Sequence, residues 1–374
     1  MALKVVLLSI HYYKSDRRAG FHCLADAFWR AGNRVCFMTV GLSLASYLRR
    51  DHRILYPEIK AERNRLVSVA DRLESYVHYT PWHPVNLVLP VLNSLSEWVG
   101  PWYARRSFGE AESRLREADL ILYESSFGLY LFSQLKKLNS HATHIYRVSD
   151  DIRLLRMPHP SLQRLEREVA SEFDLVSVPC AHLARKFYDF PGDVPVKIQH
   201  HGIAKELFSE SNPNPYAKLH GIHAVFVGAG WLDANFLEMA SRARKDITFH
   251  VIGPFVPRVN CENVIYYGEM KHRDTIPYLQ YADIGLHALE YHRGAEVFTD
   301  SLKVLQYCAC RLPIVAPEFV KTFRTNTFYY LPNDKTSICT ALDAACQHGK
   351  GDDGGIRVSS WDDVALNILE CLSG

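Results

Sequence analysis

Along most of this chain, short uninterrupted apolar runs alternate with segments whose apolar residues recur at helical spacing. Lys4-Val-Val-Leu-Leu-Ser9, Arg34 to Val40, Asp119 to Glu124, His144 to Val148, Asp174 to Pro179 and Val196 to His200 are β-rich and mostly lack polar alternation. That is the pattern of strands covered on both faces. Phe21, Leu24, Ala25 and Phe28 form one helical face between them, and Leu162, Leu165, Val169 and Phe173 form another. Strand and helix alternating in this order predict a parallel sheet with helices on both sides.

The turn-rich stretch Glu210-Ser-Asn-Pro-Asn-Pro-Tyr216 interrupts the pattern, which then resumes. His223 to Gly228, Thr248 to Gly253, Asn263 to Gly268, Asp283 to Ala288, Leu312 to Ala316 and Phe328 to Leu331 form a second set of strands. The chain is therefore expected to be α/β, with two Rossmann-like domains facing each other across a cleft. Residues 1–205 form the first and 206–360 the second, and a helix in 361–374 is expected to pack back on the first. In open sheets of this kind ligands bind beyond the carboxyl ends of the strands, so residues at strand ends become the candidates.

Residues 43–110 resist the pattern, showing no clear strand alternation. They carry Arg49, Arg50, Arg53, Arg63, Arg65 and Arg72, followed by Trp82, Trp98 and Trp102, the aliphatic run Leu87 to Leu95, and Arg105-Arg106. Indoles at headgroup depth with aliphatics beneath and arginines on phosphates make an interfacial membrane contact. The plainer alternative puts Leu87 to Leu95 in the core and the arginines on a solvated face.

Charge sharpens this picture. The net charge is only +2, but residues 1–205 hold 28 Lys and Arg against 21 Asp and Glu, whereas residues 206–374 hold 15 against 20. An anionic surface or ligand is favoured on the N-terminal side. No nucleic-acid motif accompanies that charge, and no run of about eighteen apolar residues is present to span a bilayer. Nine scattered cysteines, mostly in apolar segments, read as reduced core residues of a cytosolic protein. Cys308 and Cys310 have no second cluster at metal spacing, and no Asp-x-Asp occurs, so no metal or other cofactor is expected.

The most informative stretch is Phe298 to Ala316. Thr299 or Asp300 can cap a helix whose apolar side includes Leu302 and Leu305, and Leu312-Pro313 turns it into a buried strand. Ser301 and Lys303 in the first turn would add a hydroxyl and an ammonium to free backbone N–H groups, which makes an anion site. Gln306, one turn on, offers a donor and an acceptor suited to a ribose or a uracil-like base. Strand ends at Val227-Gly-Ala-Gly230-Trp231, Gly253-Pro254, Tyr267-Gly-Glu269 and His287-Ala-Leu-Glu-Tyr291 would line the same wall.

These motifs together resemble a GT-B glycosyltransferase. Counting back from Pro313 sets Gln306 where retaining members carry a ribose-binding Glu, Arg311 where they carry Gly, and Phe298 at the other Glu of their pair. The Ser301-x-Lys303-x-x-Gln306 block with Ser149-Asp150-Asp151 more closely resembles the inverting, membrane-associated glucuronosyltransferases of the GumK family. That resemblance implies UDP contacts from Ser301, Lys303 and Gln306, Trp231 after the Gly230 turn on the base side, Glu269 near the nucleotide, and Tyr291 at the phosphates. It implies transfer of glucuronic acid from UDP-glucuronate to a polyprenyl-diphosphate-linked oligosaccharide in exopolysaccharide synthesis, at the anionic inner face of the plasma membrane. A retaining hexosyltransferase and a non-catalytic nucleotide-sugar-binding scaffold are the alternatives.

Inversion needs a base for the acceptor hydroxyl and an electropositive wall for the departing diphosphate. Asp150, ending a strand of the first domain, is the candidate base and Asp151 the alternative; the competing role for either is a helix cap. His11, Arg17 and Arg18 follow the first strand on the acceptor side. Lone histidines in polar loops, including His200 and His201, are read as structural.

Overall fold

The computed structural model describes residues 2–15, 18–355 and 357–371. Arg17 lies outside them. The chain divides into unit 1, residues 1–200 with 361–374, and unit 2, residues 201–360. The division falls at His200/His201, a few residues ahead of the expected 205/206.

Unit 1 is built on eight strands: β1 (Lys4–Ser9), β2 (Arg34–Ser43), β3 (Leu66–Ala70), β4 (Leu73–Thr80), β5 (Leu120–Glu124), β6 (Thr143–Arg147), β7 (Leu175–Val178) and β8 (Val196–Ile198), in the order β3-β4-β2-β1-β5-β6-β7-β8. All pairings are parallel except β3 with β4. Val5, Leu7, Leu120 and Leu122 are almost fully buried, which accounts for their lack of polar alternation. The Gly20–Arg30 helix lays Phe21, Leu24, Ala25 and Phe28 on this core. The Trp361–Glu370 helix adds Trp361, Val364 and Ile368 to the same cluster. Its fit is close at Gly20, where a β-carbon would lie 2.9 Å from the Trp361 ring.

Unit 2 begins with β9 (Gly202–Ile203) and continues through β10 (Ile222–Val227), β11 (Ile247–Ile252), β12 (Val264–Gly268), β13 (Ile284–Leu286), β14 (Ile314–Pro317) and β15 (Thr327–Tyr330) to β16 (Ser359–Ser360). Six of these form a wholly parallel sheet ordered β12-β11-β10-β13-β14-β15, and β9 pairs with β16. In each large sheet the order reverses beside the first strand, between β1 and β5 and between β10 and β13. Loops diverge at such a switch point and leave room at the carboxyl edge for a ligand.

The 43–110 segment departs from expectation. It contains β3 and β4, whose alternation is hidden because Ser75 and His78 of β4 are buried beside Leu73, Tyr76 and Val77. Arg53 is not on a solvated face. Its guanidinium is buried, pairs with Asp51 at 2.6 Å, and donates to the carbonyls of Ile10, Val40 and Gly41 at 2.7, 2.9 and 2.7 Å. Arg63 lies over the rings of Tyr47 and Tyr79.

The aliphatic run is not core. In the Pro90–Ser96 helix Val91, Leu92 and Leu95 are 70%, 42% and 68% exposed, whereas Asn93 is buried. Asn93 accepts from Leu87 N at 2.8 Å and donates to Asn86 Oδ1 at 2.9 Å, so the polar side of this helix faces the protein. Trp82, Val88, Leu89 and Trp98 extend the exposed apolar surface, and Arg49, Arg50 and Arg105 are exposed near it in sequence. Among the described residues no helix is long and apolar enough to cross a membrane.

Candidate functional site

Unit 2 presents its candidate site where β10 and β13 part. The Leu302–Ala309 helix buries Val304, Leu305, Tyr307 and Cys308 and leaves Leu302 39% exposed, so the apolar side is one residue off the expected face. Tyr307 fixes the helix on the sheet. Its hydroxyl donates to Leu286 O at 2.9 Å, lies 3.2 Å from Val225 O, and accepts from Val227 N at 3.4 Å. The ring occupies space that only a glycine leaves at position 285, where a β-carbon would meet it at 2.6 Å. The helix start is thereby held at the carboxyl ends of both strands.

Neither Thr299 nor Asp300 caps this helix. A 3-10 turn, Ala295–Asp300, runs into it, Asp300 is drawn into an ion pair with the buried Arg324, and Ser301 takes the N-cap position without a capping bond. Ser301 Oγ is buried with no hydrogen-bond partner. Lys303 Nζ lies 3.9 Å over the Phe226 ring, and a β-carbon on Gly228 would approach it to 3.4 Å. No carboxylate pairs with it among the described residues. Lys303 keeps part of its surface accessible but is otherwise surrounded by protein, and the loss of hydration lowers its pKa to about 7. A hydroxyl and an ammonium that lack partners, set at a helix N-terminus, form a site for an anion.

The other expected residues of unit 2 take varied positions. Trp231 follows β10 with left-handed backbone (φ 61°), is 46% exposed, and packs on His292 with ring centroids 3.8 Å apart. Gly230 has open space where a β-carbon would be, whereas one on Gly228 would lie 3.2 Å from the Phe226 ring. Tyr291 is exposed, donates to Glu296 Oε1 at 3.2 Å and meets Phe319 at its ring. Glu269 is exposed beyond β12. Gln306 does not stand free, because its amide nitrogen lies 2.9 Å from His272 Nε2.

In unit 1 the two aspartates after β6 have different surroundings. Asp151 is the cap: it accepts from Arg153 N at 3.0 Å at the start of the Ile152–Leu154 turn. It is also paired with the Arg153 guanidinium at 2.6 Å and with the buried Lys186 at 3.1 Å, and Lys186 reaches Glu166 at 2.6 Å. Burial opposes its ionisation, but the Arg153 hydrogen bonds and the Lys186 ammonium outweigh that and hold its pKa below the ordinary value. A carboxylate so occupied is a poor base, and Asp151 is thereby corrected from alternative base to structural group. Asp150 keeps accessible surface, and among the described residues its carboxylate makes no hydrogen bond or ion pair. Its recess removes hydration, and Glu124 adds repulsion, so its pKa is raised. Its backbone N–H is fixed on Ser125 Oγ at 3.0 Å.

Three further residues lie at these strand ends; the sequence singled out His11 on the acceptor side, His287 only within a strand-end segment, and Glu124 not at all. His287, after β13, is buried and donates from Nε2 to Phe298 O at 2.9 Å, which leaves Nδ1 as an unpaired acceptor. Burial, then the nearby Lys303 ammonium, pushes its pKa well down. Glu124 and His11 stand beside Asp150 at the β1–β5 switch point. The available signal was Glu124 itself, a carboxylate closing the apolar run Leu120-Ile-Leu-Tyr123.

Solved structures of related shape include the sucrose-phosphate synthase of Thermosynechococcus elongatus, with TM-score 0.65, 12% identity, and 98% of this chain and 97% of that one covered. Anabaena HepE, solved with UDP-glucose, superposes with TM-score 0.61 at 14% identity, covering 99% of each chain. Two parallel-sheet units, each with its strand order reversing beside the first strand, make this the GT-B fold of glycosyltransferases. Residues 7–179 match the family described as glucuronosyltransferase GumK, N-terminal domain. The chain is also 30% identical over 371 residues, 98% of its length and 89% of the relative's, to the UDP-glucuronate:glycolipid 2-beta-glucuronosyltransferase of Xanthomonas campestris pv. campestris. It belongs to the GumK glucuronosyltransferase family.

The contrast between the two aspartates is measurable as stability. Asp151, with its pKa depressed by folding, adds stability above its unfolded value of about 3.9 and loses it as pH falls through the folded value. Asp150, with its pKa raised, carries a penalty when ionised. At pH 7 Asp151→Asn is expected to cost about 3 kcal/mol, because it breaks a buried charge network, while Asp150→Asn is neutral or stabilising. Urea unfolding followed by tryptophan fluorescence reads this, five of the six indoles being in unit 1. Equal losses in the two variants would contradict the assignment.

Proposed function

We propose that this protein transfers glucuronic acid with inversion from UDP-glucuronate to a polyprenyl-diphosphate-linked oligosaccharide in bacterial exopolysaccharide synthesis. Unit 2 holds the donor, and unit 1 supplies the base and the acceptor side. The observation that carries the reading is Lys303, a poorly hydrated ammonium without a counter-ion, beside the unpartnered Ser301 hydroxyl at a helix N-terminus. A diphosphate supplies what both groups lack. The Xanthomonas relative, whose name specifies UDP-glucuronate and a glycolipid, supports the choice of donor and acceptor.

Chemistry follows from the charges. As the bond from the anomeric carbon to the diphosphate breaks, negative charge grows on the leaving oxygen; Lys303 and the helix N–H groups neutralise it. The acceptor hydroxyl gives its proton to Asp150 while its oxygen attacks the opposite face of that carbon. The raised pKa suits Asp150 to this task, since a carboxylate at its ordinary value is a weaker base. Trp231, Gly230, Glu269, Tyr291 and Gln306 complete the donor side in this reading, with Gln306 exchanging its His272 contact for the nucleoside.

The outward apolar side of the Pro90–Ser96 helix, with Trp82 and Trp98, supports peripheral attachment to a membrane through unit 1. Its neighbouring arginines suit an anionic leaflet, and the cytoplasmic face of the plasma membrane is the place where a UDP-sugar and a lipid diphosphate meet.

Three measurements test these points. In calorimetry, Lys303→Ala should weaken UDP binding by about tenfold or more. The wild type should lose affinity as pH rises from about 7 to 9, because Lys303 must be charged to pair, and the variant should not show that loss. Asp150→Asn should keep UDP binding and lose about a hundredfold or more in turnover; normal turnover would remove Asp150 as base. Flotation with anionic liposomes should recover the wild type in the lipid fraction and lose a Val91→Ser/Leu95→Ser/Trp98→Ser variant. Equal recovery would refute the membrane surface.

A further inference from the structure

The carboxyl ends of β1, β5 and β6 bring together three groups that differ in how firmly they are held. Glu124 is fixed: one carboxylate oxygen, Oε2, accepts from Ser9 Oγ at 2.6 Å and from Ile10 N at 3.1 Å. Its other oxygen, Oε1, lies 3.6 Å from His11 Nε2. His11 is held through its backbone, its N–H donating to Ser9 Oγ at 3.1 Å and its carbonyl accepting from Thr39 Oγ1 at 2.8 Å, while its ring remains 31% exposed. Asp150 is fixed at its N–H by Ser125, the residue after Glu124, but its carboxylate is free.

Glu124 is almost fully buried, and among the described residues the His11 ring is the one basic group that approaches it. A buried carboxylate on the strand next to the one that Asp150 follows, with an imidazole beside it, suits the adjustment of a base better than packing.

We propose that Glu124 and His11 are positioning residues for the base, the two groups that set the charge facing the Asp150 carboxylate. The proposal rests on the reading of Asp150 as the base. Among the described residues, the charged groups that act on Asp150 are Glu124 from β5, His11 from the loop after β1, and its own neighbour Asp151; the first and last raise its pKa and His11 lowers it. Asp151 is engaged by Arg153 and Lys186, so the adjustable part belongs to Glu124 and His11.

During transfer, the acceptor O–H bond breaks as the glycosidic bond forms and the bond to UDP breaks, with the proton on Asp150 and the electron pair on the diphosphate. The pH at which Asp150 accepts that proton sets the acidic limb of the rate profile. The profile of kcat/KM for UDP-glucuronate against pH is therefore measured for the wild type, Glu124→Gln, His11→Gln and Asp150→Asn. Glu124→Gln should move the acidic limb down by about half a pH unit or more, and His11→Gln should move it up, while UDP affinity stays within about twofold.

Limbs unmoved in both variants, with kcat merely reduced, would overturn the proposal and leave Glu124 and His11 as structural groups. His11→Gln changes a partly exposed ring and carries the test alone if Glu124→Gln does not fold. An acidic limb that survives in Asp150→Asn would instead show that Asp150 is not the base, which separates failure of the underlying reading from failure of this one.

Discussion

Parallel pairing on both sides of the first strand is the constraint on which this structure depends. β1 lies between β2 and β5, and β10 between β11 and β13, so in each unit the chain leaves the sheet in opposite directions at one point of its edge. The gap there cannot be filled by a connecting helix. Buried and accessible residues of the strand ends meet there. In unit 1 those residues are Ser9, His11, Glu124 and Asp150; in unit 2 they are Gly228, His287, Ser301 and Lys303. Tyr307 enforces the arrangement in unit 2, since its hydroxyl binds the backbone of β10 and β13 together and seats the helix that carries Lys303.

The two edges have opposite electrostatic character. Unit 2 holds an ammonium that has lost water without gaining a carboxylate, and unit 1 holds a carboxylate that has lost water without gaining a cation. Several buried charges among the described residues are paired, Arg53 with Asp51, Lys186 with Asp151 and Glu166, and Arg324 with Asp300, and the buried Arg147 donates to Ser177 Oγ and Gln199 O. Against that background two unpaired groups at ligand-accessible edges are costly to folding and useful to chemistry. In the proposed reaction one meets the negative charge that leaves and the other takes the proton that is released.

Much of this was legible from residue order. Apart from β3 and β4, the strands of both large sheets appear in the sequence as apolar runs, because strands covered on both faces leave a one-dimensional signal. Strands β3 and β4 do not, because Ser75 and His78 are buried there on tertiary grounds. The Pro90–Ser96 helix could be read either as core or as membrane-facing; which side of it faces the protein depends on Asn93 finding Asn86 and the Leu87 amide, a matter of three-dimensional fit. Asp150 and Asp151 are adjacent and identical in sequence, and only the positions of Arg153, Lys186 and Glu124 separate a cap from a base. The ammonium of Lys303 was legible as an anion site, but its lack of a partner was not, and neither was the part of His287.

The central claim is inverting transfer of glucuronate to a lipid-linked glycan, and the anomeric configuration of the product tests it most directly. Purified protein would be incubated with UDP-glucuronate and a polyprenyl-diphosphate-linked oligosaccharide, and the organic-phase product read by proton NMR. The account predicts a β-linked glucuronate, inverted relative to the α-linked donor. An α-linked product, or transfer of another sugar with none from UDP-glucuronate, would contradict it.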